Sequence, residues 1–77
     1  MDFSLRLQNL RDEFEPPINQ TEFGALLNMS QRKISAMERG VTEPNLQDIF
    51  DICTRFNISA DYMLGLIDEP LPYRRTK

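Results

Sequence analysis

Apolar side chains recur near the start of the chain at the spacing of one helical face. They are Phe3, Leu7, Leu10 and Phe14, and charged or amide side chains stand between them. This spacing predicts an amphipathic helix over residues 3–14. The sequence Glu15-Pro16-Pro17 then ends it, because proline lacks the backbone N–H that a helix interior needs.

Two more short helices are predicted by residues that favour helix ends. Asn19 and Glu22 have the spacing of a capping box, which predicts the start of a helix over residues 20–27. Ser30 is a favourable N-cap for the next helix, and Gly40 supplies its end. A break of only three residues separates the two helices, so they are predicted to pack against each other as a helix-turn-helix unit.

The rest of the pattern predicts two further helices and no strand. Pro44-Asn45 opens a fourth helix whose apolar stripe is Ile49, Ile52, Cys53 and Phe56, and Asn57 closes it. Ser59 caps a last short helix over residues 60–64, which Gly65 ends. The predicted fold class is therefore all-α, a single compact bundle of five helices.

Gly24 lies in the middle of the predicted second helix. Glycine there costs about 1 kcal/mol relative to alanine, so its presence predicts the close approach of another backbone. This is the contact expected where the two helices of the unit meet.

Composition narrows the function. The chain has 77 residues, one cysteine and no histidine, which excludes an internal disulfide and the usual zinc sites. Catalytic sites that need histidine are excluded as well, so no enzyme activity, metal or cofactor is expected. Asp2 and Arg6 interrupt the apolar pattern of the N-terminus, which is typical of neither a signal peptide nor a membrane span, and we expect a cytoplasmic protein.

The predicted third helix carries a cationic face opposite its apolar residues. The outward positions are Arg32, Ser35, Ala36 and Arg39, with Gln31 beside Ser35. Gln31, Arg32 and Lys33 crowd the first turn, where cations weaken a helix. Glutamine pairs with adenine and arginine with guanine, which indicates that this end of the helix reads DNA. The alternative is that these side chains are only a solvated face.

The run from Asn19 to Gly40, NQTEFGALLNMSQRKISAMERG, resembles the Cro/cI-type (XRE) helix-turn-helix DNA-binding domain. The usual family pattern is TQ-x-x-L-A, then G-V-S, then I-S-x-x-E-x-G. The ending NISADYMLG, residues 57–65, resembles the later helices of the family. The resemblance implies a lambda-repressor-like DNA-binding domain over residues 1–65, followed by a C-terminal tail, 66–77, that is either loosely ordered or dimer-forming.

The resemblance also implies a function and a set of contacts. The function is a sequence-specific regulator of transcription, a repressor, that places its recognition helix, about residues 31–39, in the major groove of double-stranded DNA. The base contacts would come from Gln31, Arg32, Ser35 and Ala36. The phosphate contacts would come from Gln20, Asn19, Lys33, Arg39 and Thr42. Arg11 and Glu38 match an ion pair that orients the helices of the family.

Some positions depart from the family pattern. Asn19 replaces the usual threonine and Asn28 the usual glycine, and both are chemically tolerable there. The segment Glu15-Pro16-Pro17 lengthens the first connection. Val41-Thr42-Glu43 stand where basic residues are common, which predicts a weaker grip on phosphates.

Partners other than DNA are suggested by two groups of side chains. The apolar residues Phe50, Leu66, Ile67, Leu71 and Tyr73 are not claimed by the core and predict a homodimer, unless they cover their own domain. Arg74, Arg75 and Lys77 either contact phosphates or are solvated. The rival function is an antitoxin-like or accessory protein-interaction module. Its basic partner would meet the acidic residues Asp12, Glu13, Glu15, Asp48, Asp51 and Asp61.

Overall fold

The computed structural model describes residues 3–69, and every regular element in that range is an α-helix. The helices are α1 Phe3–Asp12, α2 Gln20–Leu27, α3 Gln31–Glu38, α4 Leu46–Phe56 and α5 Ala60–Met63. α3 packs against α2 and α1, while α5 packs against α4 and α1. The predicted all-α fold of five helices is confirmed. No helix in this range is long and apolar enough to cross a membrane.

Side-chain caps begin four of the helices, as predicted. Asn19 accepts a hydrogen bond from the backbone N–H of Glu22 at 2.8 Å, and the Glu22 carboxylate accepts one from the N–H of Asn19 at 3.1 Å. Asn45 and Asp48 form a second capping box at the start of α4. Each box satisfies two N–H groups that a helix start would otherwise leave unpaired. The hydroxyl oxygens of Ser30 and Ser59 cap α3 and α5.

The predicted ends of α2, α3 and α4 are also confirmed, while α5 ends at Met63, one residue before its predicted end. Asn28 and Asn57 follow α2 and α4 in the left-handed conformation, with φ of 58° and 55°. Asparagine tolerates this region better than most residues because its short polar side chain can hydrogen-bond locally. Gly40, with φ of 74°, turns the chain away from α3.

The core draws side chains from all five helices. Its fully or nearly buried members are Phe3, Leu7, Leu10, Phe23, Leu27, Ile34, Met37, Ile52 and Met63. Three rings pack at one side of it: Phe23 and Phe56 stack with centroids 5.5 Å apart, and Phe14 meets both edge-on.

Cys53 lies half-buried against this core, and burial raises the pKa of its thiol, so the side chain packs as a neutral group.

Helix α1 is shorter than predicted, because it ends at Asp12 instead of residue 14. The residue before a proline is disfavoured in the α conformation, and Pro16 and Pro17 follow closely. Phe14 still packs on the core from outside the helix, so its apolar spacing extended the prediction past the true end.

Gly24 lies where α2 meets the turn into α3. A Cβ atom at this position would overlap the carbonyl oxygen of Met29, and the Met29 N–H donates a hydrogen bond to the Gly24 carbonyl at 2.8 Å. The close backbone approach predicted for this glycine is confirmed. It sets how tightly the turn can bring α3 against α2.

An ion pair joins α1 to the last turn of α3. Arg11 donates hydrogen bonds from Nε and Nη2 to the two carboxylate oxygens of Glu38 at 2.8 and 2.9 Å, and from Nη1 to the Ile18 carbonyl at 3.1 Å. Glu38 is only 5 % exposed. Burial alone would raise its pKa, but the hydrogen bonds from Arg11 and Gln20 and the charge of Arg11 outweigh burial and lower it.

Substituting Glu38→Ala should destabilise the fold by about 2 kcal/mol at neutral pH, the scale of hydrogen bonds to charged groups. Because the folded pKa of Glu38 is lowered, its stabilising effect is present above the unfolded value of about 4.3. That effect is lost as the pH falls through the folded pKa.

Urea unfolding of the parent and the variant from pH 7 down to pH 3 measures both effects. The two free energies of unfolding should differ at neutral pH and converge in acid. Glu43→Ala, at an exposed position just beyond α3, is the matched control and should change little. Equal stability of the parent and Glu38→Ala at pH 7 would contradict the structural role of the pair.

Candidate nucleic-acid interface

The first residues of α2 and α3 are linked through their side chains. Gln31 donates a hydrogen bond from Nε2 to Oε1 of Gln20 at 2.6 Å, and Gln20 donates from Nε2 to Oε1 of Glu38 at 3.1 Å. An ionised carboxylate can only accept, so the Gln20 amide must turn its nitrogen toward Glu38 and its oxygen toward Gln31. The buried ion pair of Arg11 and Glu38 therefore fixes which way the amide of Gln20 points.

Gln31 is exposed, and its bond to Gln20 uses one N–H of its amide. The second N–H and the carbonyl oxygen remain as a donor and an acceptor. This is the pair of groups that matches N7 and N6 of adenine in the major groove. The position and chemistry of Gln31 are thus compatible with its predicted base contact.

Arg32 is the second residue of α3 and is exposed. Within residues 3–69 its guanidinium has no ion pair or hydrogen bond. Arg32 and Gln31 therefore both face solvent at the N-terminal end of α3, as the sequence interpretation requires.

Lys33 has a partner within the protein. Its Nζ lies 2.6 Å from Oδ1 of Asp48, and the Asp48 side chain is only 6 % exposed. The other carboxylate oxygen of Asp48 accepts the backbone N–H of Asn45 at 3.0 Å in the capping box of α4. Lys33 therefore neutralises a buried carboxylate. The sequence interpretation, which attributed all the cations of this turn to function, missed this pair.

The remaining predicted base-contacting positions lie along α3. Ser35 and Ala36 are half-buried on the face that Arg32 begins. They are small, so they permit the close approach of another surface.

The predicted phosphate contacts lie at both ends of the helix pair. Arg39 is exposed, with Nε 3.4 Å from the Ser35 carbonyl, and the N–H of Thr42 bonds to the Ala36 carbonyl at 3.3 Å. Asn19 is exposed at the start of α2, although its side-chain oxygen already caps that helix. Asn19 therefore lies next to Gln20, which bonds to Gln31, whereas Arg39 and Thr42 lie at the opposite end of α3.

Exposed apolar side chains lie elsewhere on the described surface. Phe50 and Leu66 are 64 % and 70 % exposed, and Ile67 is 42 % exposed. Leu46, one turn before Phe50 on α4, is 87 % exposed and was not singled out by the sequence interpretation. The other predicted contact residues, Leu71, Tyr73, Arg74, Arg75 and Lys77, lie outside the described residues.

Metal-binding side chains do not gather in residues 3–69. No group of three or more His, Cys, Asp or Glu side chains in this range could hold a metal ion.

Comparison with known proteins places this arrangement in a family. A family model described as "Helix-turn-helix" matches residues 18–63, which is more than half of the chain. No curated protein and no solved structure matched the sequence. The matched range starts just before the cap of α2 and ends with α5, so it contains both helices that carry the linked side chains. The chain therefore belongs to the helix-turn-helix family, in its Cro/cI (XRE) type.

Proposed function

We propose that the protein is a sequence-specific DNA-binding regulator of transcription, a repressor, that inserts the N-terminal half of α3 into the major groove. The observation that supports this proposal is the series of hydrogen bonds from Glu38 through Gln20 to Gln31, in the first turn of α3. Glu38 is buried, Gln20 bonds to it, and Gln31 bonds to Gln20 at the surface. A helix end supported in this way presents Gln31 to a base pair in a fixed arrangement, with Arg32 exposed beside it.

Preorganisation is the physical advantage of the link. A long, free glutamine loses rotamer entropy when it binds, which costs roughly 0.5–1.5 kcal/mol per immobilised side chain. The bond to Gln20 fixes part of this freedom before DNA arrives. The same bond orients the remaining donor and acceptor of Gln31, so the link contributes to base discrimination as well as to affinity.

Phosphate contacts would position α3 without reading sequence. We assign them to Asn19 and Gln20 at the start of α2, where the backbone N–H groups and the helix dipole favour an anion. At the other end of α3 we assign them to Arg39 and Thr42. The exposed carboxylate of Glu43 lies next to Thr42 and opposes this contact, so affinity should be modest.

Lys33 takes a different part in the proposal. Its ammonium is held by Asp48, so we assign it to positioning α3 against α4, and any attraction to phosphate is secondary. This assignment explains why a cation stands in the first turn of a helix, where the dipole disfavours it.

We further propose that the protein binds as a homodimer. Leu46 and Phe50 lie one turn apart on α4, and both are largely exposed, which suits contact with a second copy. A two-fold dimer would set two recognition helices about 34 Å apart, one turn of DNA. The DNA site would then contain two related half-sites at this spacing.

The rival function is an antitoxin-like or accessory module that holds a basic protein. Exposed Asp12, Glu13 and Glu15 favour it. Asp48, predicted to belong to this acidic surface, is buried and paired with Lys33, so the described acidic surface is smaller than expected.

Selection from random duplex DNA tests the proposal directly. The expected result is one enriched motif with two half-sites about one helical turn apart. Affinity for the winning duplex should fall with salt, with a log–log slope of about 0.9 per phosphate neutralised. Selection that enriches no motif, together with binding that does not respond to salt, would favour the protein-interaction module.

Arg32→Ala should weaken binding to the selected site by about 1–3 kcal/mol and relax the preference at one base position, because a side chain that pairs with a base edge is lost. Fluorescence anisotropy on the site and on its single-base variants measures both effects. Arg55→Ala removes an equal charge from the exposed surface of α4 and should leave base preference unchanged. Identical base preferences for Arg32→Ala and the parent would contradict the assignment.

Lys33→Ala should lower the free energy of unfolding by about 1–3 kcal/mol, because it leaves the buried carboxylate of Asp48 without its partner. The salt slope of DNA binding should hardly change. Arg39→Ala, on the same helix, is the matched comparison: it should leave stability nearly unchanged and reduce the slope by about 0.9. The reverse pattern between the two variants would show that Lys33 is a phosphate contact.

A further inference from the structure

Three half-buried polar residues of α1 lie on one face of that helix, toward the end of α3. They are Ser4, Gln8 and Arg11, spaced at i, i+4 and i+7, and we call them the polar edge of α1. Arg11 holds the Glu38 carboxylate. Ser4 and Gln8 make two further contacts at this end of α3, which the sequence interpretation did not predict.

Gln8 bonds to the backbone of the last residue of α3. Its Nε2 donates a hydrogen bond to the carbonyl oxygen of Glu38 at 2.8 Å. The last carbonyl groups of a helix have no partner within the helix, so their partners must come from elsewhere. The carbonyl of Ala36 accepts the N–H of Val41 at 2.9 Å, in the turn that follows α3. The carbonyl of Glu38 finds its donor on α1 instead.

Ser4 packs against the glycine that follows α3. A Cβ atom at Gly40 would lie 3.3 Å from Oγ of Ser4, which is a close contact. Ser4 also lines a pocket of about 240 Å³ together with Thr42. The polar edge of α1 therefore touches Glu38 and Gly40 and lies beside Thr42.

The residues that α1 holds are next to the proposed phosphate contacts at this end of α3. Arg39 stands between Glu38 and Gly40, and its side chain is exposed. Thr42 follows Gly40 by two residues. A phosphate contact forms only where the donor lies at the right distance when Gln31 reaches a base. The contacts of α1 fix where these donors lie relative to the other end of α3.

We propose that Gln8 is a positioning residue for DNA binding, which acts through Arg39 and Thr42. This role rests on the proposed DNA binding, and it assigns part of the affinity to a side chain of α1 that bonds to the protein backbone. Without that bond, the end of α3 has more freedom, and DNA binding must order it at a cost in affinity. Gln31 and Arg32 lie at the opposite end, so base preference does not depend on Gln8.

Gln8→Met removes the donor and keeps a long, unbranched side chain. Binding to the selected duplex should weaken about three- to tenfold, the effect of one lost hydrogen bond. The log–log salt slope should fall toward that of Arg39→Ala, a loss of about 0.9. Preferences among single-base variants of the site should stay those of the parent. Fluorescence anisotropy over a salt series measures all three.

Asn9→Met, at the exposed neighbouring position, is the matched control and should bind as the parent does. All variants are measured at a temperature at which circular dichroism shows them folded. A loss of stability in a protein that remains folded does not change the salt slope, so the slope reports on the position of the phosphate contacts.

A combined variant tests whether Gln8 acts through Arg39. Gln8→Met should weaken binding less in the Arg39→Ala background than in the parent, because the contact that Gln8 positions is already lost. If the two fold-changes simply multiply, Gln8 acts independently of Arg39 and the proposed role is wrong.

A second donor tests the hydrogen bond itself. Gln8→Lys supplies an N–H group on a long side chain, and Asn9→Lys adds the same charge on the exposed side of α1. The two lysine variants should have equal salt slopes. A slope for Gln8→Lys that is lower by about 0.9 would overturn the role of the donor.

Measurements on the parent distinguish the role of Gln8 from DNA binding itself. If the parent binds the selected duplex with a salt slope and Gln8→Met keeps the same slope and affinity, only the positioning role is wrong. If the parent yields neither a motif nor a salt slope, DNA binding is wrong and the role of Gln8 falls with it.

Discussion

The buried carboxylate of Glu38 is the group on which the arrangement of the helices depends. A carboxylate out of contact with water must accept hydrogen bonds from donors that stay in place, because a buried charge without them is strongly unfavourable. Arg11 of α1 and Gln20 of α2 supply these donors. Glu38, in the last turn of α3, thereby joins α1, α2 and α3. Because the amide nitrogen of Gln20 donates to Glu38, its amide oxygen remains to accept the hydrogen bond from Gln31.

A second buried carboxylate acts at the other end of α3. The Asp48 carboxylate accepts the backbone N–H of Asn45 in the capping box of α4 and also pairs with the ammonium of Lys33, so α3 is held to α4 near its first turn and to α1 and α2 near its last. These charges are satisfied inside the protein, while Arg32 and Arg39 remain exposed on the outer face of α3. This distribution explains how a chain with a net charge of −3 can still present a cationic face on α3.

The sequence predicted contacts between residues that are close along the chain better than contacts between residues that are far apart along it. The caps at Asn19, Ser30 and Asn45 need only a few neighbouring residues, so spacing and residue type were sufficient. The outward position of Gln31 and Arg32 followed from helical periodicity. The pair of Arg11 and Glu38 followed from the family resemblance alone. The pair of Lys33 and Asp48 joins different helices and depends on how they pack, so the sequence interpretation did not predict it. The apolar spacing of α1 continues to Phe14, so it did not indicate that the helix ends at Asp12, before Pro16.

The central claim is that Gln20 holds Gln31 in place for reading a base. The most direct measurement is a double-mutant cycle, in which binding of the selected duplex is measured for the parent, Gln20→Ala, Gln31→Ala and the double variant. The account predicts a coupling energy of about 0.5 kcal/mol or more, because either single substitution already breaks the link. Free energies that add to within about 0.3 kcal/mol would contradict it.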